Sequence, residues 1–428
     1  MDSGETMHAW TRDLFPICRS LTGDGVRQTL SYMKNLLPEL EVHEIPSGTT
    51  VLDWTIPDEW NIADAFVADA DGQRVIDFRQ NNLHVVGYSE PVDKVLTRDE
   101  LDAHLHSLPD QPTAIPYVTS YYRRTWGFCV SEEQRARLGP GPFRARIDST
   151  LAPGHLTYAD LVLPGASADE VLLSTYVCHP SMANNELSGP VVALALARWL
   201  AGRSDRRYTY RFVIAPETIG SIAYMARHLD HLKKVVRAGW VLTCVGDDRA
   251  YSYLPSRNGQ TLADRVSRAV LRDRVGDFVS YTFLDRGSDE RQWCSPGADL
   301  PVCSIMRSKY WEYPEYHTSL DDLALVTPSG LEGAATVLRG CIEALEGNHR
   351  WQSVMPGEPQ LGRRGLYPTT SIKGSTASVR PLMDVLAYCD GTNDLIALSE
   401  ITGLPIRSVQ ELVAKLEAAE VIERVANA

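Results

Sequence analysis

The chain lacks the marks of a disulfide-built, membrane-spanning or nucleic-acid-coating protein. Its eight cysteines are scattered over 428 residues with no Cys-x-x-C pair, which suits reduced thiols and argues against a disulfide framework. No uninterrupted apolar run approaches the roughly 18–20 residues that cross a bilayer, so no membrane partner is expected. The first ten residues show no basic start followed by an apolar stretch, so the expected location is the cytoplasm. Basic residues are in deficit, 42 Lys and Arg against 55 Asp and Glu. The net charge of −13 disfavours a general nucleic-acid binder, because phosphate contacts need the opposite surplus. A metal cation is not excluded by that argument. With 44% hydrophobic and 23% charged residues, the composition is that of a globular protein long enough for two or three domains.

Helical spacing marks residues 7–17 and 25–37. From Pro46 the pattern changes to short strand-like runs, at 51–56 and 65–69, with a hairpin signal at Asp71-Gly72. Turns, aromatics and short strands continue to about residue 147, which predicts a small β-rich module. Strand and helix then alternate: strands at 171–177, 208–215, 240–245 and 302–306, helices at 190–200, 221–229, 261–271 and 331–345. Such alternation predicts a mainly parallel sheet covered by helices. Residues 351–376, rich in Gly, Pro, Ser and Thr, read as a linker. The tail carries three short helical patterns, a tight turn at Ile401-Thr402-Gly403-Leu404-Pro405 and a last strand, as in a winged helix-turn-helix. The expected domains are therefore 1–45 with 148–350 (α/β), 46–147 (inserted, β-rich), the linker, and 377–428 (winged helix).

Candidate chemistry collects just after the strands, where open α/β sheets place their ligands. His179 follows the strand at 171–177, and Asn185 and Glu186 come six and seven residues later on a loop that can fold back toward the imidazole. Glu217 ends the strand at 208–215, as a metal ligand or as the base that deprotonates a metal-bound water. His317 lies before Asp321 and Asp322, acids suited to cap a helix or to hold the imidazole through its second nitrogen. Asp289 and Glu290, in a charged turn at 286–291, are further ligands or anchors for a substrate's ammonium group. Each has a plainer reading: a strand-end cap, a carboxylate favoured by a helix N-terminus, or a solvated salt-bridged turn. Cys178 is expected to face away from His179, as neighbours on a strand do. The aromatic and basic run at 117–128, with Tyr121-Tyr122-Arg123-Arg124, would line a substrate entrance with His104 and His106 if the module folds over the sheet edge. Ordinary β-domain core with surface charge is the favoured reading.

These segments together resemble a bacterial family of aminopeptidase-like proteins, distant relatives of the di-zinc aminopeptidases. The resemblance rests on C-H-P-S-M-A-N-N-E-L-S-G at 178–189, P-E-T-I-G-S at 216–221, T-C-V-G-D at 243–247, G-S-D-E-R-Q at 287–292 and P-E-Y-H-T-S at 314–319. It extends to N-N-L-H-V-V at 81–86, H-S-L-P-D-Q-P at 106–112 and the winged helix, so it spans nearly the whole chain. It implies an α/β, zinc-peptidase-like mixed sheet flanked by helices, with an inserted small β-domain and a C-terminal winged-helix domain. Against the active di-zinc enzymes, Ser181 stands at the third position of their His-x-Asp motif and Asn185 at their bridging carboxylate. Pro216-Glu217 replaces their paired glutamates, and Thr243 replaces a further ligand.

A neutral amide cannot balance two dications as a carboxylate does, so the resemblance implies one zinc ion. The expected ligands are His179, Glu186 and His317, with Asn185, Glu217 or Asp289 as alternatives for the third. A three-ligand site leaves a fourth position for water. The expected function is a zinc-dependent aminopeptidase or amide hydrolase acting on a small peptide or aminoacyl conjugate. Glu217 would serve as base, and Asp289, Glu290, Tyr316 and Asn185 would contact substrate. The alternative is a repurposed aminopeptidase-fold biosynthetic or binding protein without peptidase activity. From Ser375 onward, four basic residues face eight acidic ones, so the winged helix is expected to pack against protein rather than nucleic acid. Self-association is left open.

Overall fold

The computed structural model describes residues 1–367, 377 and 379–425. Residues 368–376 of the expected linker, with Ser378 and residues 426–428 of the expected winged-helix domain, lie outside the described residues. Packing divides the chain into two compact units. One comprises Met1–Thr261 with Val279–Ala335; the other comprises Leu262–Phe278 with Thr336–Ala428.

The first unit is built on an eight-stranded mixed sheet. Its four middle strands, Thr209–Ala215, Glu170–Tyr176, Val236–Val241 and Val302–Met306, are parallel and adjacent in that order. Every residue of Thr209–Ala215, Glu170–Tyr176 and Val302–Met306 is buried. Runs such as Val-Leu-Leu-Ser-Thr-Tyr suit strands covered on both faces. His155–Leu163 and Glu41–Pro46 extend one edge antiparallel. Ser252–Leu254 and Val279–Ser280 extend the other. The expected α/β sheet is thus present, with a mixed rather than purely parallel order.

Helix Ser188–Ala201 is apolar almost all round and buried along its first ten residues. Gly189 allows its close approach to the sheet, since a Cβ there would fall 2.2 Å from the Leu242 carbonyl oxygen. Immediately before it, Ala183–Leu187 winds as a wider π-helical turn.

The inserted module is a four-stranded antiparallel sheet in the order Arg74–Asp77, Glu59–Ala68, Phe143–Ala152, Val92–Leu96. Gly72, at φ +81°, closes the expected hairpin between its first two strands. The run at 51–56, read as one strand, is instead a tight hairpin of Thr50–Val51 and Trp54–Thr55. Leu52 reverses the chain at φ 54°, and Ile56 donates back to the Thr49 carbonyl at 2.9 Å. The module is stitched to the loop that carries His317: Tyr117 N donates to the His317 carbonyl, and Ser319 N to that of Ile115, both at 2.9 Å.

In the second unit, helices Arg380–Ala387, Leu395–Thr402 and Ile406–Ala418 accompany a three-stranded sheet of Asp390–Asp394, Arg350–Ser353 and Ile422–Arg424. Asp394 caps the second of these helices by accepting from Ala397 N at 2.7 Å. Gly403, left-handed at φ +69°, ends it where the sequence placed the turn. Among the described residues, no helix is long and apolar enough to cross a membrane.

Candidate metal and ligand site

The carboxyl ends of the parallel strands bring His179, Glu217 and His317 to one cavity of about 380 Å³. Strand Glu170–Tyr176 ends at Tyr176, and after a last backbone hydrogen bond from Val177 N to the Ala215 carbonyl at 3.1 Å the chain leaves the sheet at Cys178 and His179. The neighbouring strand Thr209–Ala215 delivers Glu217 after a single proline. Four non-glycine residues of the loops that build this site hold positive φ: Ser181 (39°), Thr218 (64°), Cys244 (51°) and His317 (55°). Conformations of this kind cost of order 1–3 kcal/mol each and persist where the surroundings fix them, commonly at functional sites.

His179 is held from both sides. Its Nδ1 lies 2.9 Å from Glu186 Oε2, and its Nε2 lies 3.7 Å from Glu217 Oε2. Burial disfavours the imidazolium, but Glu186, by hydrogen bond and charge, and Glu217 outweigh it and raise the pKa above the usual value. His317 has the opposite setting. Burial and the nearby His179 push its pKa down to about 3, and its buried Nε2 has no hydrogen-bond partner. The two imidazole centroids are 5.3 Å apart, with Tyr117 5.2 Å from each and Tyr316 stacked on His317 at 3.9 Å. Burial raises the pKa of Glu217, whose Oε1 accepts from Ser288 Oγ at 2.8 Å.

Glu186 lies beside the His179 imidazole as expected, and it has a second partner. It is fully buried and forms an ion pair with Arg19, Nε to Oε1 at 3.2 Å, while the same Nε donates to the His179 carbonyl at 3.1 Å. Arg19 comes from the loop between the first two helices and was not anticipated. The only signal was a charged residue in an otherwise small and apolar segment, Cys18-Arg19-Ser20-Leu21.

The other expected residues separate. Glu290 Oε1 accepts from Gly287 N, Ser288 N and Tyr310 Oη at 2.8, 2.9 and 2.5 Å, fastening its own turn. Asp289 is buried and accepts from Thr218 N at 2.7 Å. Burial, with Glu217 nearby, raises its pKa to about 7. Asn185 donates to Tyr176 Oη at 2.9 Å, and its Oδ1 is left without a partner. Asp321 binds neither histidine; it accepts from Ala183 N, Asn184 N and Asn185 N at 3.1, 2.5 and 2.9 Å.

Cys178 does not face away from His179. With strand geometry ended, its Sγ sits 3.3 Å from His179 Nδ1 and accepts from Glu217 N at 3.3 Å. Burial, then Glu186 and Glu217, raise the thiol pKa well above the usual value, which favours the protonated thiol over the nucleophilic thiolate. The aromatic run does reach the site: Tyr117, Tyr121 and Tyr122 line the cavity, whereas His104, stacked on Trp126 at 3.6 Å, does not.

Among the described residues, two clusters have donor atoms close enough to hold a cation: Cys178, His179 and Glu186, and the more exposed Glu41, His43 and Asp160. In the first, Arg19 already neutralises Glu186. The donors that face the cavity are His179 Nε2, the unpartnered His317 Nε2 and Glu217. Ligands at about 2.1 Å on one tetrahedral cation lie roughly 3.4 Å apart, close to the 3.7 Å between His179 Nε2 and Glu217 Oε2. His179 belongs to the first cluster as well, so the donors around it are consistent with a single-metal site.

A mixed sheet flanked by helices, with an imidazole–carboxylate site beside its strand ends, is an aminopeptidase-like fold. The chain belongs to the family described as Domain of unknown function (DUF4910), whose model matches residues 8–348. Residues 349–424 match a winged helix-turn-helix model. A Clostridium acetobutylicum protein, named as a candidate polysaccharide biosynthesis protein with an aminopeptidase-like domain, is 40% identical over 99% of this chain and 97% of its own length. The crystal structure of a candidate peptidase from the same organism superposes with a TM-score of 0.93 at 38% identity, covering 99% of this chain and 96% of that one. A zinc aminopeptidase from Bacillus subtilis shares the fold, with a TM-score of 0.56 at 14% identity over 80% of this chain and 95% of that one.

Proposed function

We propose that this protein is a repurposed aminopeptidase-fold protein acting in a biosynthetic route, with surface polysaccharide the first candidate, rather than an aminopeptidase. One observation carries the reading: Glu217 is the only carboxylate among the residues lining the cavity. An aminopeptidase of this fold needs acids to hold metal, to accept a proton from water and to receive the substrate's ammonium group. One carboxylate does not fill three roles. The biosynthetic name of the 40%-identical relative agrees with that count.

In this reading a single zinc ion is held by His179 Nε2, His317 Nε2 and Glu217. Glu186 serves as the partner of His179 Nδ1 and fixes the ring's orientation. When bound, the metal would polarise a carbonyl or phosphoryl oxygen. Tyr117 packs edge-on against His317, and Tyr316 stacks on it.

Metal analysis and a hydrolysis screen test this together. After dialysis against zinc, the protein should retain no more than one equivalent, and His317→Ala should lose it. Aminoacyl anilides and dipeptides should not turn over above the blank. Two tightly held zinc ions, or anilide hydrolysis abolished by His179→Ala, would restore the aminopeptidase.

A further inference from the structure

Apart from Glu217, the residues lining the cavity beside His179 and His317 offer no acid to a free amine, but they do offer a guanidinium. Arg291 lines it, exposed to solvent. Its Nη2 donates to Thr218 Oγ1 at 2.7 Å, and among the described residues no carboxylate forms an ion pair with it. Asp289 and Glu290, its chain neighbours, are spent on Thr218 N and on the Gly287–Ser288 turn. Arg291 is therefore a cation within reach of an incoming ligand, with Glu217 the one carboxylate that shares the lining.

A second cavity of about 650 Å³ adjoins the first and shares Trp54, Tyr121 and Tyr122 with it. Both volumes are in the range of small-ligand sites. Trp54, in the short hairpin, and Tyr122, in a later loop, have ring centroids 6.0 Å apart and tilted by 59°. They remain 37% and 63% exposed. Large rings left open to water beside a cavity present flat apolar faces, which suit the C–H face of a sugar ring. Arg123 and Arg124 stand in the second cavity, with Arg124 already engaged by Asp58 and Glu90.

We propose that the joined cavities bind an anionic N-acyl sugar. Its carboxylate or phosphate pairs with Arg291, its ring lies on Trp54 and Tyr122, and its amide is directed toward His179, His317 and Glu217. This rests on the biosynthetic reading above and names the ligand class for the same site.

The test is calorimetric titration of the full-length protein with four probes: N-acetylmuramic acid, N-acetylglucosamine 1-phosphate, N-acetylglucosamine and glucosamine. At least one of the two anions should bind about tenfold tighter than the neutral sugar, one ion pair's worth, and glucosamine should bind weakest. Whichever anion binds tighter assigns the group as carboxylate or phosphate. Arg291→Gln, at an exposed position, should reduce both anions to the neutral affinity, and Trp54→Ala should weaken all the N-acetyl sugars. The inference is overturned by equal affinity for neutral and anionic sugars, by a preference for glucosamine, by no binding of any probe, or by unchanged binding in Arg291→Gln. None of these readouts uses turnover, so such a failure in a protein that also leaves anilides intact removes the ligand class alone. Anilide hydrolysis would instead remove the functional reading on which it rests.

Discussion

Arg19 sits wholly buried against one carboxylate, and both partners depend on the pairing. Burial lowers the pKa of the guanidinium, and the charge of Glu186 works to restore it. Replacing Arg19 with Met would leave Glu186 only the His179 imidazole opposite it in a dry interior, and breaking a buried pair of this kind costs about 3–5 kcal/mol. We expect the melting temperature of Arg19→Met to fall sharply and that of the double variant Arg19→Met/Glu186→Gln to recover in part. Equal melting of the wild-type and single-variant proteins would show that the pair contributes nothing. Glu59 gives the corresponding test at the surface. Its hydrogen bond from Arg27 outweighs partial burial and lowers the carboxyl pKa from 4.5 to about 2. A depressed folded pKa means the unfolded chain takes up its proton first as pH falls. The stability from Glu59 is therefore complete above about pH 4.5 and disappears by about pH 2. Chemical denaturation across that window should show a shallower acid slope in Glu59→Gln than in wild type. Solvent screening should hold the difference at neutral pH to about 1 kcal/mol.

At the scale of elements, the turn Ala183–Leu187 decides how the site is assembled. A helix start leaves several N–H groups without intrahelical partners. Here Asp321 supplies acceptors for three successive amides, at 3.1, 2.5 and 2.9 Å, and also accepts from Tyr313 Oη at 2.9 Å. Asp321→Ala should therefore destabilise the protein by about 3 kcal/mol or more. It should also raise amide exchange at 183–187, while leaving exchange in the inserted sheet unchanged; a uniform change would show that the cap is not local. This element also marks the limit of what the sequence disclosed. The strands, the alternation and the positions of His179 and Glu217 just after strands were legible because apolar runs and the residues after them are local signals, whereas His317 lies in a turn eleven residues past Val302–Met306. Glu186 and Asp321 were recognised as acids, but their partners were not, because Arg19 is 167 positions and Ala183 138 positions from the carboxylate that each meets. Cys178 was misplaced because a strand rule was extended two residues past Tyr176, where the strand ends. Leu52 was read as strand because a hydrophobic side chain gives no warning of a positive φ. The contact of residues 115–117 with 317–319 depends on how the inserted module packs, which no local pattern encodes.

For the whole molecule, the question left by the fold is whether the winged helix makes this a nucleic-acid protein. In such domains the start of the recognition helix enters the major groove, and its positive end favours phosphate. Here that end is already occupied: Ile406 N donates to Asp273 Oδ2 at 2.5 Å, within the same compact unit. Along the helix, Arg407 lies 3.5 Å from Glu411, and Arg424 of the following strand lies 2.9 Å from Glu417. These cations are already paired, on a chain of net charge −13. Releasing counterions from DNA requires unpaired cations, and the affinity gained on lowering salt scales with their number. Among the described residues of this helix, Lys415 is the only cation exposed without an ion pair, so that number is small. Gel shift of mixed-sequence duplex at about 50 mM salt, where phosphate binders are at their tightest, should therefore show no complex. Glu411→Lys/Glu417→Lys should create weak, salt-sensitive retention. A wild-type complex that tightens steeply as salt falls would mean that a basic face lies elsewhere and that the charge argument fails.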